Sequence, residues 1–108
     1  MSSPMQTPTI TPFFQDATTT LYQGDCVDVM AQMDAESVDI TVTSPPYDGL
    51  RTYNGYSFDF ESIAKGLYRV TNAGGVVVWI VSDATVKGDE TGTSFRQALH
   101  FKECGFRL

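Results

Sequence analysis

Apolar and polar positions alternate along Val38-Asp39-Ile40-Thr41-Val42-Thr43, and the apolar ones are β-branched. A period of two with such side chains predicts a half-buried strand. Pro45 and Pro46 end it. Two consecutive prolines fix two φ angles near −65°, remove two backbone donors and bias the preceding Ser44 away from helix. Ser44-Pro45-Pro46-Tyr47 therefore reads as a stiff loop at the carboxyl edge of a strand, the edge at which open α/β sheets bind their ligands.

The other elements follow from the same kind of pattern. Residues 1–17 carry Pro4, Pro8 and Pro12 among Ser and Thr, which predicts a flexible arm, with Phe13 and Phe14 as its apolar exception. Residues 18–23 are β-branched and aromatic and predict a short strand closed by Gly24-Asp25. Asp25 then caps a helix over 26–33 whose stripe is Val27, Met30 and Met33. Residues 48–57 hold two Gly and two Tyr without periodicity and read as a loop beside the proline turn. Phe60, Ile63, Ala64 and Leu67 recur at helical spacing, which predicts a helix over 59–71 with Asp59 as cap, Phe58 and Ile63 as a hydrophobic staple, and Asn72-Ala73-Gly74-Gly75 as its stop. Gly66 weakens that helix by up to about 1 kcal/mol relative to Ala.

Val76-Val77-Val78-Trp79-Ile80-Val81 is apolar throughout, the pattern of a strand covered on both faces in a parallel sheet. Asp83 follows as a surface carboxylate, and residues 87–92 read as a mobile linker. Ser94 and Gln97 have capping-box spacing for a helix with Phe95, Ala98, Leu99 and Phe101 inward, ended by Gly105. Residues 106–108 begin a further strand. This βαβαβα order predicts an α/β fold with a mostly parallel sheet and flanking helices, a flexible arm at 1–17 and the folded unit at 18–108. A chain that stops on entering a strand is expected to be a piece of a larger protein.

Composition narrows the chemistry. The 108 residues suit one small domain, and 42% hydrophobic residues exclude wholesale disorder. A net charge of −6 with seven scattered basic residues is not the footprint of a chain that grips a phosphate backbone by itself. Cys26 and Cys104 lack metal-ligand spacing, so no metal site and no disulfide is expected, and a reducing, cytoplasmic setting is the plain reading. No leader-like segment or membrane-length apolar run is present, so no membrane partner is expected. His100 has no matched partner in the sequence and reads as structural.

Thr43-Ser44-Pro45-Pro46-Tyr47 resembles the catalytic motif of the S-adenosylmethionine-dependent DNA amino-methyltransferases, which methylate exocyclic nitrogens of cytosine or adenine. In that family the motif reads Ser, Asp or Asn, then Pro-Pro, then an aromatic residue, and the Ser form with a preceding Thr is commoner among N4-cytosine enzymes. Leu21-Tyr22-Gln23-Gly24-Asp25-Cys26 is similar to the segment that precedes the motif in members whose catalytic half comes first. The resemblance covers about residues 20–108 and implies a partial Rossmann-like methyltransferase fold, with Ser44, Pro45, Pro46 and Tyr47 as catalytic residues. It implies S-adenosyl-L-methionine as methyl donor, with Asp25 and Thr43 beside it, and double-stranded DNA as partner through the complete protein. Asp25 has two readings at this point, a donor contact and a helix cap. The family's Phe-x-Gly-x-Gly turn is absent from the chain, since Gly74-Gly75 precedes a strand instead of following one.

Ser44 favours cytosine N4 and leaves adenine N6 open. A protein-glutamine methyltransferase also uses a Pro-Pro-Tyr loop, with Asn where this chain has Ser44. From a different class, the turn could be the docking surface of a non-enzymatic α/β module. An unpaired sheet edge also makes self-association an expectation.

Overall fold

The computed structural model describes residues 10–45, 59–83 and 85–108. The chain opens with β1 (Phe14–Gln15) and β2 (Thr20–Leu21), followed by α1 (Cys26–Ala31) and β3 (Val38–Thr43). Next come α2 (Phe60–Val70), β4 (Thr71–Trp79), β5 (Thr85–Val86), β6 (Asp89–Glu90) and α3 (Thr93–Cys104). The pairings form three two-stranded sheets, of which β3–β4 is parallel and β1–β2 and β5–β6 are antiparallel. The result is a mixed α/β architecture with a parallel pair at its centre, and a mostly parallel sheet is not what the described residues form.

The parallel pair is joined by a crossover containing α2, as the sequence order predicts. Thr41↔Val77, Val42↔Val78 and Thr43↔Trp79 stand opposite one another, and the register shifts between Val38↔Thr71 and Ile40↔Val76. Asn72-Ala73-Gly74-Gly75 makes that irregularity. It belongs to β4, because α2 ends at Val70 and Thr71 is already extended at φ −81°, ψ 129°. Gly75 is obligatory for packing: a Cβ there would lie 2.7 Å from Thr71 Cγ2 and 2.9 Å from the Asn72 carbonyl. Across the pair, Asn72 Nδ2 donates to Asp39 Oδ1 at 2.7 Å.

The core lies on one face of this pair. Met30, Ala64, Leu67, Val70 and Phe101 are buried, with Val77 and Trp79 from β4 packed against them. Phe101 meets Trp79 and Phe60 edge-on, with ring centroids 5.1 and 5.2 Å away. The helical spacing of Phe60, Ile63, Ala64 and Leu67 thus finds its partner surface. Asp59 caps α2 as expected, accepting from the Ser62 amide at 3.2 Å and the Ser62 hydroxyl at 2.7 Å. Gly66 has a packing role the sequence did not disclose, for a Cβ there would meet Met30 Cε at 3.0 Å. Arg69 ties α1 to α2 by donating to the Met30 and Met33 carbonyls at 2.6 and 2.7 Å, a basic side chain bonding carbonyls at the carboxyl end of α1.

Several expectations are corrected. The segment over 18–23 does not enter the parallel sheet: Thr20–Leu21 pairs with Phe14–Gln15, so ordered structure reaches back into the proline-containing segment at 10–17. Asp16 makes that turn, accepting from the Thr18 and Thr19 amides at 2.9 and 2.7 Å. Residues 87–90 are not linker. Lys87 and Gly88 both have positive φ, 53° and 79°, the signature of a two-residue hairpin turn between β5 and β6.

The capping box at Ser94 does not form. Gln97 is buried and accepts from Trp79 Nε1 at 3.0 Å, while Asp83 supplies the cap. On α3, Phe101 faces the core as expected, while Phe95 and Leu99 are exposed and Gln97 is buried instead. Residues 106–108 form no strand, and Phe106 packs on Tyr68 and Phe101. Most consequential, no described element covers the second face of β4: Val76, Val78 and Ile80 are exposed, as are Ile40 and Val42 beside them on β3. The Phe58 staple and the loop expected at 48–57 lie outside the described residues.

Candidate active site at the carboxyl edge of the parallel pair

Alternating β-branched residues carry β3 up to Thr43, where the prolines stop it. The ladder is zipped to its last rung, because the Ile80 amide donates to the Thr43 carbonyl at 3.0 Å. Ser44 is therefore the first residue beyond the pairing, at the carboxyl edge of two parallel strands, and it is exposed. Pro45 beside it is buried. A hydroxyl open to solvent on an anchored backbone can accept or donate toward a ligand without first breaking a structural bond. Pro46 and Tyr47, the other two residues singled out in the turn, lie outside the described residues.

Thr43 is half-buried on the helix-facing side of β3, level with Trp79, and its carbonyl is committed to the sheet. Asp25 is the N-cap of α1, with Oδ1 accepting from the Val27 amide at 2.8 Å. It stands after the antiparallel β2 and not after a strand of the parallel pair, so its cap role is the one the geometry displays. The side chain is exposed, which leaves its second oxygen accessible to an outside donor.

Asp83, read from sequence as a surface carboxylate, has a structural task. It accepts from the Ser94 amide at 2.7 Å and the Ser94 hydroxyl at 2.8 Å, and so caps α3 from eleven residues upstream. Gly92, the residue at the N-cap position, has no side chain for this. No local pattern signals such a cap, since capping signatures are defined within a helix's own first turn. Asp83 thus shares the carboxyl edge with Ser44 while both its oxygens serve α3.

Two other reactive side chains among the described residues are Cys26 and His100. Partial burial of the sulfur, reinforced by the neighbouring Asp25 carboxylate, pushes the Cys26 thiol up from its usual range and disfavours the thiolate. His100 leans on the Phe60 ring at 5.3 Å, with Nδ1 3.6 Å from Glu103, a packing position. Among the described residues no cluster of three or more His, Cys, Asp or Glu could hold a metal ion, and no helix is long and apolar enough to cross a membrane.

The described residues thus place an exposed serine at the edge where α/β sheets bind ligands. The chain is similar to two bacterial methyltransferases. It is 71% identical to the orphan methyltransferase M.BamHII of Bacillus amyloliquefaciens over 85 residues, which is 79% of this chain and 28% of that protein. It is 33% identical to the Type II methyltransferase M.ScaI of Streptomyces caespitosus over 70 residues, 59% of this chain and 23% of that protein. The chain spans less than a third of the length of either relative. No protein-family model and no solved structure matches it.

Proposed function

We propose that this chain provides the catalytic-motif part of an S-adenosylmethionine-dependent DNA methyltransferase that modifies the exocyclic amine of a flipped base, cytosine N4 in preference to adenine N6. The observation that carries the reading is Ser44, exposed at the carboxyl edge of a parallel pair whose ladder closes one residue before it. The 71% identity to M.BamHII supports it. The methyltransferase fold is accordingly Rossmann-like, with β3 and β4 as neighbouring strands of its sheet.

The amine of cytosine or adenine is a poor nucleophile because its lone pair is delocalised into the ring. A base turned out of the duplex would present that amine to Ser44, whose Oγ accepts one amino hydrogen while the carbonyl of Ser44 or Pro45 accepts the other. Acceptors so placed favour a pyramidal nitrogen and stabilise the positive charge that grows on it, and they are worth most when fixed in advance. Pro45 and Pro46 supply that rigidity. Tyr47 stacks on the base, a contact of roughly 1–3 kcal/mol that offsets part of the cost of flipping. The donor, when bound, contributes a methyl group on a positively charged sulfur. In this chain the residues to hold it are the exposed Asp25 carboxylate, which can accept from donor hydroxyls, and Thr43. The chain's net charge of −6 implies that the grip on DNA phosphates comes from other parts of the complete protein.

The test is to incubate the whole protein with labelled S-adenosylmethionine and duplex DNA and identify the modified nucleoside. N4-methylcytosine is expected. N6-methyladenine would move the reading to the adenine alternative, and no labelled base at all would overturn it. Ser44→Ala should lower kcat by about 10²–10³ with little change in KM, as for the loss of one preorganised acceptor.

A further inference from the structure

Gln97 is only 7% exposed, while Phe95 and Leu99 on the same helix lie open. A core position of α3 that an aliphatic side chain could fill thus holds a polar one, and its Oε1 accepts from Trp79 Nε1 at 3.0 Å. Trp79 stands opposite Thr43 in the parallel register, and the Ile80 amide next to it donates to the Thr43 carbonyl at 3.0 Å. Ser44 is the next residue. Bonds therefore run from α3 through Trp79, Ile80 and Thr43 to the backbone that carries the serine. The indole is also met by the Phe60 and Phe101 rings, with centroids 5.7 and 5.1 Å away. Ring packing alone tolerates small slides and tilts, whereas a hydrogen bond has a preferred direction and fixes where the indole lies.

We propose that Gln97 is a positioning residue for methyl transfer: by holding the Trp79 indole it sets the end of β4 and, through the Ile80–Thr43 rung, the position of Ser44. This rests on the methyltransferase reading above. The strand end needs such a hold. Pairing closes at Thr43, the ends of paired elements open most readily, and an acceptor aimed at a developing charge is effective when kept within about 0.5 Å of its productive place. Pro45 stiffens the turn beyond Ser44, and the rung before it is what ties that turn to the sheet.

The experiment compares Gln97→Met, Gln97→Glu and Gly105→Ala in the whole protein. Methionine keeps the length of the side chain without the acceptor, and glutamate restores an acceptor oxygen in either protonation state. Gly105→Ala perturbs the far end of α3, where a Cβ would meet the Tyr68 ring, and is the control for lost stability alone. Initial rates of methyl transfer from labelled S-adenosylmethionine to duplex DNA give kcat and KM, scaled to the folded fraction seen by circular dichroism. Gln97→Met should lower kcat by about tenfold or more with KM for DNA within about twofold, and should quicken hydrogen exchange of the Ile80 amide by about tenfold. Gln97→Glu should recover most of both. Gly105→Ala should lower Tm and leave the scaled kcat and the Ile80 exchange where they were. Should Gln97→Met fail to fold, Trp79→Phe removes the same bond from the donor side. A native kcat in Gln97→Met, equal losses of kcat in Gln97→Met and Gly105→Ala, or an Ile80 amide that exchanges at the native rate would each overturn the inference. The exchange is measured without donor or DNA, so a protein that methylates no base defeats the reading above while the hold of Gln97 on the rung is still decided.

Discussion

The two faces of the β3–β4 pair use similar residues and end in opposite states. On the inner face Val77 and Trp79 meet Phe60, Phe101 and the α2 stripe, and Gln97 answers the indole N–H. On the outer face Ile40, Val42, Val76 and Val78 meet nothing described. Burial of a Val or Ile side chain is worth roughly 1.5–3 kcal/mol relative to leaving it exposed, so among the described residues the inner face stabilises the fold and the outer face contributes little. Residue type does not decide which side is which. The crossover does, by laying α2 and then α3 against one side.

The sharpest way to break this contrast is to truncate one residue on each face. Phe101→Ala should cost about 3–5 kcal/mol, enough to unfold a domain of this size under ordinary conditions, because it removes the ring on which Phe60, Trp79 and Phe106 converge. Val78→Ala on the outer face should change stability by no more than about 0.5 kcal/mol. Urea unfolding followed by tryptophan fluorescence measures both, with Trp79 reporting from inside the cluster. Equal losses would mean that the outer face is covered in solution.

Two glycines extend the comparison to backbone. Gly105 ends α3 at φ 125° with its Cα against the Tyr68 ring, and a Cβ there would come within 2.6 Å of it. Gly105→Ala should therefore destabilise by about 1–3 kcal/mol, combining strain with a clash in packed surroundings. Gly75→Ala, with backbone oxygens at 2.9 and 3.0 Å from the new atom, should cost a comparable amount and disturb the β3–β4 register as well. Changes in the amide hydrogen exchange of the Ile80 N–H would show whether the last rung before Ser44 loosens with it.

The parts of the fold legible in sequence were those whose partners are near in the chain. The span Val38–Thr43, the α2 stripe and the Asp59 cap are local patterns found where predicted, although within that strand Thr41 and Thr43 take the helix-facing side while Ile40 and Val42 are exposed. Asp83 and Gln97 were misread for one reason: each bonds across a gap in sequence, to Ser94 and to Trp79, where no local signature exists. The run 76–81 is apolar at every position, so its pattern predicts cover on both faces and cannot say which one α2 and α3 take. Of the serine-proline turn the described residues include Ser44 and Pro45, at the carboxyl edge of the strand that the local pattern predicts. Asp25 was only half legible, since one spacing serves a helix cap and a ligand contact alike.

Asp83 offers a finer probe of the inner face, because α3 reaches it only if its first turn is held. Asp83→Ala removes the acceptor for the Ser94 amide and hydroxyl, and should cost about 0.5–2 kcal/mol, in the range of a lost N-cap. Asp83→Asn keeps one carbonyl acceptor and should recover most of it. Thermal unfolding by circular dichroism separates the two. If Asp83→Ala instead leaves Tm unchanged and abolishes methylation by the whole protein, the carboxylate belongs to the site at the carboxyl edge and not to α3.

The smallest expected effect is electrostatic. Bonds from the Ser62 hydroxyl and amide hold the Asp59 carboxyl below its ordinary 3.8, and bonds from the Thr18 and Thr19 amides do the same for Asp16. In both cases the folded protein favours the ionised form more than the unfolded chain does. The stabilisation is therefore fully present above the unfolded value of 3.8 and is lost as pH falls through the lower folded value. Both side chains are exposed, so solvent screening keeps the effect below those above. Urea midpoints measured from about pH 6 down to about pH 2 should fall more steeply at the acid end for the native chain than for Asp59→Asn, which keeps an acceptor for Ser62 but cannot titrate. Because Asp59 starts the helix that closes the inner face, the difference should appear in the fluorescence of Trp79. The Asp16→Asn difference concerns only the β1–β2 hairpin and should leave that signal where it was. Parallel pH profiles for the native chain and Asp59→Asn would show that the Ser62 bonds do not persist in solution, and the α2 cap would then rest on backbone alone.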